Sequence, residues 1–319
     1  MTFPLDVLTY GEAMALFVAD ETGPLESVGH FTKRIAGADL NVAIGLSRLG
    51  FRVGYVSRVG ADSFGRYVLD TLAKEGIDAS CVSIDSRYAT GFQIKGKQTD
   101  GRDPSVEYFR KGSAASHLSL DDYNAQYATT ARHLHLTGVA PAISATSREL
   151  AFELAQSMRA AGKTISFDPN LRPTLWSSRE TMAATLNALA ALSDWVLPGL
   201  SEGLVLTGRD TPEDVAQFYL DLGVRGVIVK LGADGAYFRT AEQSGYVAAQ
   251  PVANVVDTVG AGDGFAVGVV SALLEGRDMP TAVARGNRIG GLAIQVIGDS
   301  EGLPMRAELD RLESQATPV

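Results

Sequence analysis

Asp257-Thr258-Val259-Gly260-Ala261-Gly262-Asp263-Gly264-Phe265 ends a β-rich segment and opens an apolar helix whose pattern continues to about residue 275. Small residues ahead of an acid leave backbone N–H groups uncovered at a helix N-terminus, where unpaired donors and the helix dipole favour an anion. Asp263 is itself an anion, so two readings stand. It caps the helix as a first-turn carboxylate. Alternatively, Gly260, Gly262 and Gly264 let a phosphate approach while Asp263 takes a proton from the group that attacks it, which is phosphoryl transfer.

Two familiar glycine motifs do not apply. The dinucleotide pattern GxGxxG needs a glycine where Phe265 stands. The P-loop pattern is imitated by Gly162-Lys163-Thr164, but its first glycine falls on Ser157 within an amphipathic helical pattern, and Gly162 reads as the terminator of that helix.

Working outward from the turn, the chain alternates strand and helix. Residues 7–18 read as strand broken at Gly11-Glu12, 30–35 as strand, and a helix follows Ala36-Gly37-Ala38-Asp39 and stops at Gly50. Strand 53–59 and helix 63–74 follow. Residues 90–95 and 105–110 read as polar-alternating strands around a loop at 97–104. Together with residues 12–35 they are expected to build a small β lid, at about 12–35 and 89–117, on a single domain spanning 1–319. From His133 the pattern is strand to 139, helix 147–161, strand 164–167, helix 178–192, strand 195–197, helix 212–222 and strand 226–230, then an antiparallel stretch over 236–256. Strands separated by helices imply right-handed crossovers, hence an α/β fold with a mostly parallel, doubly wound sheet flanked by helices. Ligands of such sheets bind beyond the carboxyl ends of the strands.

Composition narrows the function. The chain has 319 residues, 45% hydrophobic and 20% charged, and a net charge of −9, which argues against nucleic acid or an anionic membrane as the main partner. No apolar run is long enough to span a membrane. Cys81 is the only cysteine, and the start lacks a basic region followed by a long apolar run, so a cytoplasmic location is expected. His133 and His135 alternate in a strand-like run and read as structural.

The strand ends give Asp168-Pro169-Asn170-Leu171-Arg172-Pro173, Pro198-Gly199-Leu200-Ser201-Glu202 and Lys230-Leu231-Gly232-Ala233-Asp234-Gly235. Arg172 suits a carboxylate or phosphate, or is a surface loop arginine. Glu202 suits a magnesium ion held through water, or is a solvated first-turn glutamate. The Lys230 stretch suits a nucleotide, or is a tight turn.

The stretch 257–270, with Gly260-Ala261-Gly262-Asp263 and Gly268, resembles the C-terminal signature of the ribokinase-like (PfkB) carbohydrate kinases. Ala36-Gly37, Asn41, Gly50 and Gly60 are similar to its N-terminal signature, and Glu202 and Lys230 follow in order, so the resemblance covers essentially the whole chain. It implies a ribokinase-like fold and an ATP- and Mg²⁺-dependent kinase, with Asp263 as catalytic base and Gly260, Ala261 and Gly262 as the anion hole. It puts Lys230, Gly232, Gly235 and Asn287 near the nucleotide, Glu202 near magnesium through water, and Asp257 with Thr258 at a monovalent-cation (K⁺) site. Gly37, Asn41, Gln93, Tyr108, Arg110 and Arg172 fall where 2-keto sugar-acid kinases hold substrate.

The implied reaction is phosphorylation of the terminal hydroxyl of 2-keto-3-deoxygluconate. The alternatives are 2-ketogluconate, fructose, or a sugar-sensing binding protein without catalysis. Asp39 departs from the small residue or proline of the signature, as an acid does in 2-keto sugar-acid kinases. Gly199 stands where relatives carry the Asn of Asn-x-x-Glu, and Gln93 where a tyrosine is expected. The lid sheet is a candidate surface for a homo-oligomer.

Overall fold

In the computed structural model, which describes residues 5–98 and 104–315, the break at Gly11-Glu12 separates two sheets. β1 (Val7–Tyr10) is buried at every position in the main sheet; β2 (Met14–Thr22) and β3 (Phe31–Ala36) pair antiparallel in a smaller one. α1 (Ala38–Arg48), β4 (Val53–Gly60), α2 (Ser63–Lys74) and β5 (Asp78–Asp85) return the chain to the main sheet, and β6 (Phe92–Lys97) and β7 (Val106–Phe109) complete the smaller. Part of the expected 97–104 loop, Thr99 to Asp103, lies outside the described residues.

The alternation read from His133 onward then appears. It runs β8 (His133–Thr137), α5 (Ala145–Ala160), β9 (Thr164–Asp168), α6 (Arg179–Ala190), β10 (Trp195–Val196), α8 (Pro212–Asp221) and β11 (Gly226–Lys230), with the unread helices α3 (Ala125–Ala128) before β8, α4 (Ala140–Ile143) before α5 and α7 (Leu200–Thr207) before α8. β12 (Ala236–Thr240) and β13 (Ser244–Val247) form an antiparallel edge before α9 (Ala261–Leu274), α10 (Met279–Ala293) and α11 (Arg306–Ser314).

The main sheet has the order β13-β12-β11-β10-β9-β8-β1-β4-β5, parallel from β11 to β5. The chain winds one way from β1 through β4 to β5 and the other way from β8 to β11, so the topological switch point lies between β1 and β8. Period-two alternation on buried strands feeds two cores. Leu8, Leu134, Ile165 and Val227 pack with Leu150, Leu154 and Leu186 of α5 and α6, while Val7, Val53, Tyr55 and Ile228 pack with Ile44, Val267 and Val283 of α1, α9 and α10.

The smaller sheet has the order β3-β2-β6-β7. Phe17 packs edge-on against Phe92 and against Phe64 of α2, Phe64 and Phe92 meet tilted, and Phe92 stacks on Phe109 with centroids 4.6 Å apart. Gln93 and Lys95 are buried toward the main sheet.

One expectation needs correction, and some elements, α7 and α11 among them, were not read from the sequence. The antiparallel stretch expected over 236–256 ends at Val247, and the residues leading to the glycine turn are irregular. β5 was not anticipated because its half-exposed alternation is weak, nor α10, whose pattern is interrupted by Gly286, Gly290 and Gly291 and which tertiary packing on α9 holds in place. No described helix is long and apolar enough to cross a membrane.

Candidate active site

Helix capping divides the molecule. α2, α5, α6, α8 and α10 begin at Asp62, Ser144, Ser178, Thr211 and Asp278, whose side chains accept a first-turn N–H. α1, α4, α7, α9 and α11 begin without a side-chain cap, and of these α1 and α9 begin at the positive-φ glycines Gly37 and Gly260. Both of these bare N-termini open on a cavity of about 770 Å³ between the carboxyl ends of the main sheet and the smaller sheet. Gly260 has φ 88, and a Cβ there would stand 2.5 Å from the Asp299 carbonyl oxygen, so only glycine lets the turn enter the helix at this point.

Asp263 follows in the first turn of α9. Its Oδ2 accepts from Asn41 Nδ2 at 2.7 Å and its Oδ1 from Asn170 Nδ2 at 3.2 Å, so two amides fix the carboxylate. Asn41 reaches it because α1 and α9 cross closely: a Cβ on Gly45, one turn beyond Asn41, would stand 2.5 Å from Val267 Cγ2. Asn170 adopts φ 38, the one left-handed non-glycine among the described residues. Burial pushes the Asp263 carboxyl up to about 7, with Asp168 and Asp299 adding to the rise and Asn41 and Arg172 opposing it. Such a group exchanges protons near neutral pH, the property a general base needs.

A second acid lies nearby. Asp39, in the first turn of α1, accepts from Thr137 N at 3.2 Å and Thr137 Oγ1 at 3.1 Å at the switch point, and burial raises it to about 7, with Asp263 adding to the rise. The Lys230 ammonium sits 2.7 Å from Asp168 Oδ2 and 3.7 Å from the place of a Cβ on Gly262, beside the bare turn. Burial works against its charge, but Asp168 and Glu202 outweigh that and hold its pKa above the usual lysine value.

Glu202 faces the cavity while its Oε1 accepts from Leu171 N at 2.8 Å and its Oε2 from Gly199 N at 2.7 Å, which binds the turn before α7. Each oxygen keeps a lone pair, so the carboxylate fits a water-bridged magnesium ion carried mainly by phosphates. Among the described residues no group of three or more acidic, His or Cys side chains is clustered to hold a metal.

On the opposite wall, Gln93 and Tyr108 are cross-strand neighbours on β6 and β7. Arg110 Nη2 contacts Glu12 Oε2 at 2.5 Å, an ion pair without hydrogen-bond alignment. Arg172 donates to the carbonyls of Asn170 and Leu171, at 3.4 and 2.9 Å. The Asn41 Oδ1 is buried and has no hydrogen-bond partner among the described residues.

The cavity therefore gathers Gly37, Asn41, Gln93, Tyr108, Arg110 and Arg172 with Glu202, Lys230, Gly232, Thr258, Gly260, Gly262 and Asp263. Ala261, Gly235, Asn287 and Asp257 are not in its lining. Gly235, at φ 99, closes the β11–β12 turn against the Val247 carbonyl, and Asn287 Nδ2 donates to that same carbonyl at 2.9 Å. The Asp257 carboxylate is held by the Lys95 ammonium at 2.6 Å. His133 and His135 are buried, do not line the cavity and share the Ser166 hydroxyl; burial drives His133 well below the ordinary range and, with the Lys230 charge adding, His135 down to about 3.

Sequence reasoning did not single out Asn170, Lys95, Asp168 or Asp299 as site residues. The Asp168-Pro169-Asn170 strand end was a usable signal for two of them; nothing local marks Lys95 or Asp299.

Comparison with known proteins gives this geometry its context. The family model described as pfkB family carbohydrate kinase matches residues 5–306. The chain is 50% identical to a 2-dehydro-3-deoxygluconokinase from Bacillus subtilis (strain 168), over 96% of this chain and 94% of that protein. A crystal structure of a PfkB protein from Polaromonas sp. JS666 superposes with a TM-score of 0.89 at 57% identity, covering 96% of this chain and 99% of that one. A putative ribokinase II from E. coli, solved in complex with ATP and Mg²⁺, gives 0.90 at 29% identity over 98% and 100%. An uncapped glycine turn leading into a buried, amide-clamped aspartate that lines the cavity, and a match over nearly the full length, place this chain in the pfkB family of carbohydrate kinases.

Proposed function

We propose that the protein transfers the γ-phosphoryl group of ATP to the terminal hydroxyl of 2-keto-3-deoxygluconate, the compound named 2-dehydro-3-deoxygluconate in the Bacillus relative. The observation that carries this reading is Asp263, fixed by Asn41 and Asn170 at the mouth of the bare α9 N-terminus with its carboxyl raised to about 7. Asp263 takes the hydroxyl proton as the sugar oxygen bonds to the γ-phosphorus and the bond from that phosphorus to the bridging oxygen of the departing ADP breaks. The N–H groups of Gly260 and Gly262 and the Lys230 ammonium face the negative charge of the phosphoryl oxygens, while the Ala261 N–H donates to the Thr258 carbonyl at 3.5 Å. Mg²⁺, when bound with ATP, neutralises phosphate charge, and Glu202 is the residue that would hold its waters.

Substrate recognition divides between the walls. The Arg110 charge is answered by Glu12, whereas the hydrogen bonds of Arg172 go to neutral carbonyls, which makes Arg172 the cation for the sugar carboxylate. Asn41 spends its Nδ2 on Asp263 and keeps Oδ1 for a sugar hydroxyl. The smaller sheet acts as the lid that excludes water from the transfer, bringing Gln93 and Tyr108 over the substrate.

The test is ADP release with 2-keto-3-deoxygluconate, 2-ketogluconate, fructose, ribose and adenosine. The 3-deoxy acid should give the highest kcat/KM. Preference for a neutral sugar would overturn the substrate assignment, and absence of turnover on every compound together with intact sugar binding would favour a sensing role.

A further inference from the structure

Lys95, on β6 of the smaller sheet, is 1% exposed. A buried lysine is costly unless its charge is answered. Here the ammonium lies 2.6 Å from Asp257 Oδ2 and 3.0 Å from Asp299 Oδ1. Both acids are tied to the phosphate turn. Asp257 opens it, its Oδ1 accepting the Val259 N–H at 3.1 Å. The Asp299 carbonyl packs against Gly260 at the very start of α9.

The resemblance to carbohydrate kinases assigned a monovalent cation to Asp257 and Thr258, and that assignment can be tested on the donors. Asp257 Oδ1 is taken by Val259 N; Oδ2 receives Gly298 N at 3.4 Å and the Lys95 ammonium at 2.6 Å. A potassium ion on this carboxylate would stand against a buried positive charge already in contact with it, so the residues present do not fit an added cation. An ammonium group carries the same single charge as potassium, at a similar size.

We propose that Lys95 is a built-in monovalent cation, a positioning residue whose ammonium pins Asp257 and Asp299 and thereby fixes the phosphate turn without a bound potassium ion. Burial alone would discharge the amine, but Asp299 and Asp257 reverse that effect and hold its pKa above the ordinary lysine value. Because Lys95 lies two residues beyond Gln93 on the same strand, the strand that faces substrate also delivers the charge that orders the turn. Seating of the smaller sheet and readiness of the anion hole are thus one event.

The inference rests on the kinase reading but not on the identity of the sugar. The experiment compares wild type, Lys95→Met and Lys95→Arg in choline, sodium and potassium chloride at matched ionic strength, reading ADP release and thermal melting. Wild-type rate and melting temperature should be the same in potassium and choline. Lys95→Met should lose about 10²-fold in kcat in choline and recover at least about tenfold in potassium, as an external cation enters the vacated place. Its melting temperature should rise with potassium where that of wild type does not. Lys95→Arg should keep cation independence.

Wild-type stimulation of about tenfold by potassium over choline, or full Lys95→Met activity in choline, would overturn the proposal. Should Lys95→Met fail to fold, the wild-type titration and Lys95→Arg decide the matter. If no sugar is turned over but the melting results hold, the substrate reading fails and this one stands.

Discussion

Replacing Asp263 by Asn separates catalysis from stability, and the structure sets both magnitudes. The amide fills the same space and keeps one oxygen for one of the two amide donors, Asn41 or Asn170, but it cannot take a proton. Losing a positioned general base costs about 10²–10⁴ in rate, or roughly 3–5 kcal/mol of barrier.

Stability runs the other way. The folded-state carboxyl is raised from 3.8 to about 7, so the folded protein binds this proton more tightly than the unfolded chain. The resulting stabilisation is fully present below the unfolded value and is lost as pH rises through about 7, a difference on the order of 4 kcal/mol. Asn is neutral at every pH and escapes that loss. Turning an amide N–H toward a neighbouring donor gives back about 1–3 kcal/mol.

At pH 8 Asp263→Asn should therefore melt no lower than wild type while kcat falls about 10³-fold. Coupled ADP release and differential scanning calorimetry on the same preparation read both quantities. A kcat within tenfold of wild type would refute the base assignment. A melting temperature that falls steeply at pH 8 would refute the account of the buried carboxylate.

Three further outcomes follow from the same geometry. The kcat/KM of wild type should decline as pH falls below about 7, where Asp263 takes up its proton, and a profile flat down to pH 5 would exclude it as the titrating base. Arg172→Ala removes charge-assisted hydrogen bonds to the sugar carboxylate worth about 1.5–3 kcal/mol, so KM for the keto acid should rise roughly 10- to 150-fold with little change for a neutral ketose. Gly260→Ala forces a side chain into φ 88 against the Asp299 carbonyl, and should cost about 1–3 kcal/mol in denaturant unfolding and about 10²-fold in kcat.

Much of the molecule was legible because its signals are local. Period-two apolar strands bounded by turn formers and helices closed by capping residues require only neighbours in sequence, so the strand–helix alternation from His133 to Lys230 could be read directly. Where local preference is weak, the reading failed. α10 carries glycines inside a helix and is fixed by its contact with α9, and residues 248–256 continue no strand although they precede the turn.

By itself the sequence determined the parts of the proposed reaction centre: a glycine turn at a helix N-terminus, an acid set in the following helical turn, and strands whose ends point to one side of a parallel sheet. Only tertiary structure decided how that acid behaves. Asn41 and Asn170, 222 and 93 residues away in sequence, meet Asp263 because α1 and α9 cross at Gly45 and the β9 end turns through a left-handed asparagine. Lys95, remote in sequence from Asp257 and Asp299, becomes their counter-ion only when the small sheet lies over the large one. Backbone propensities act within a few residues, whereas burial and charge pairing act between surfaces that exist only in the folded chain.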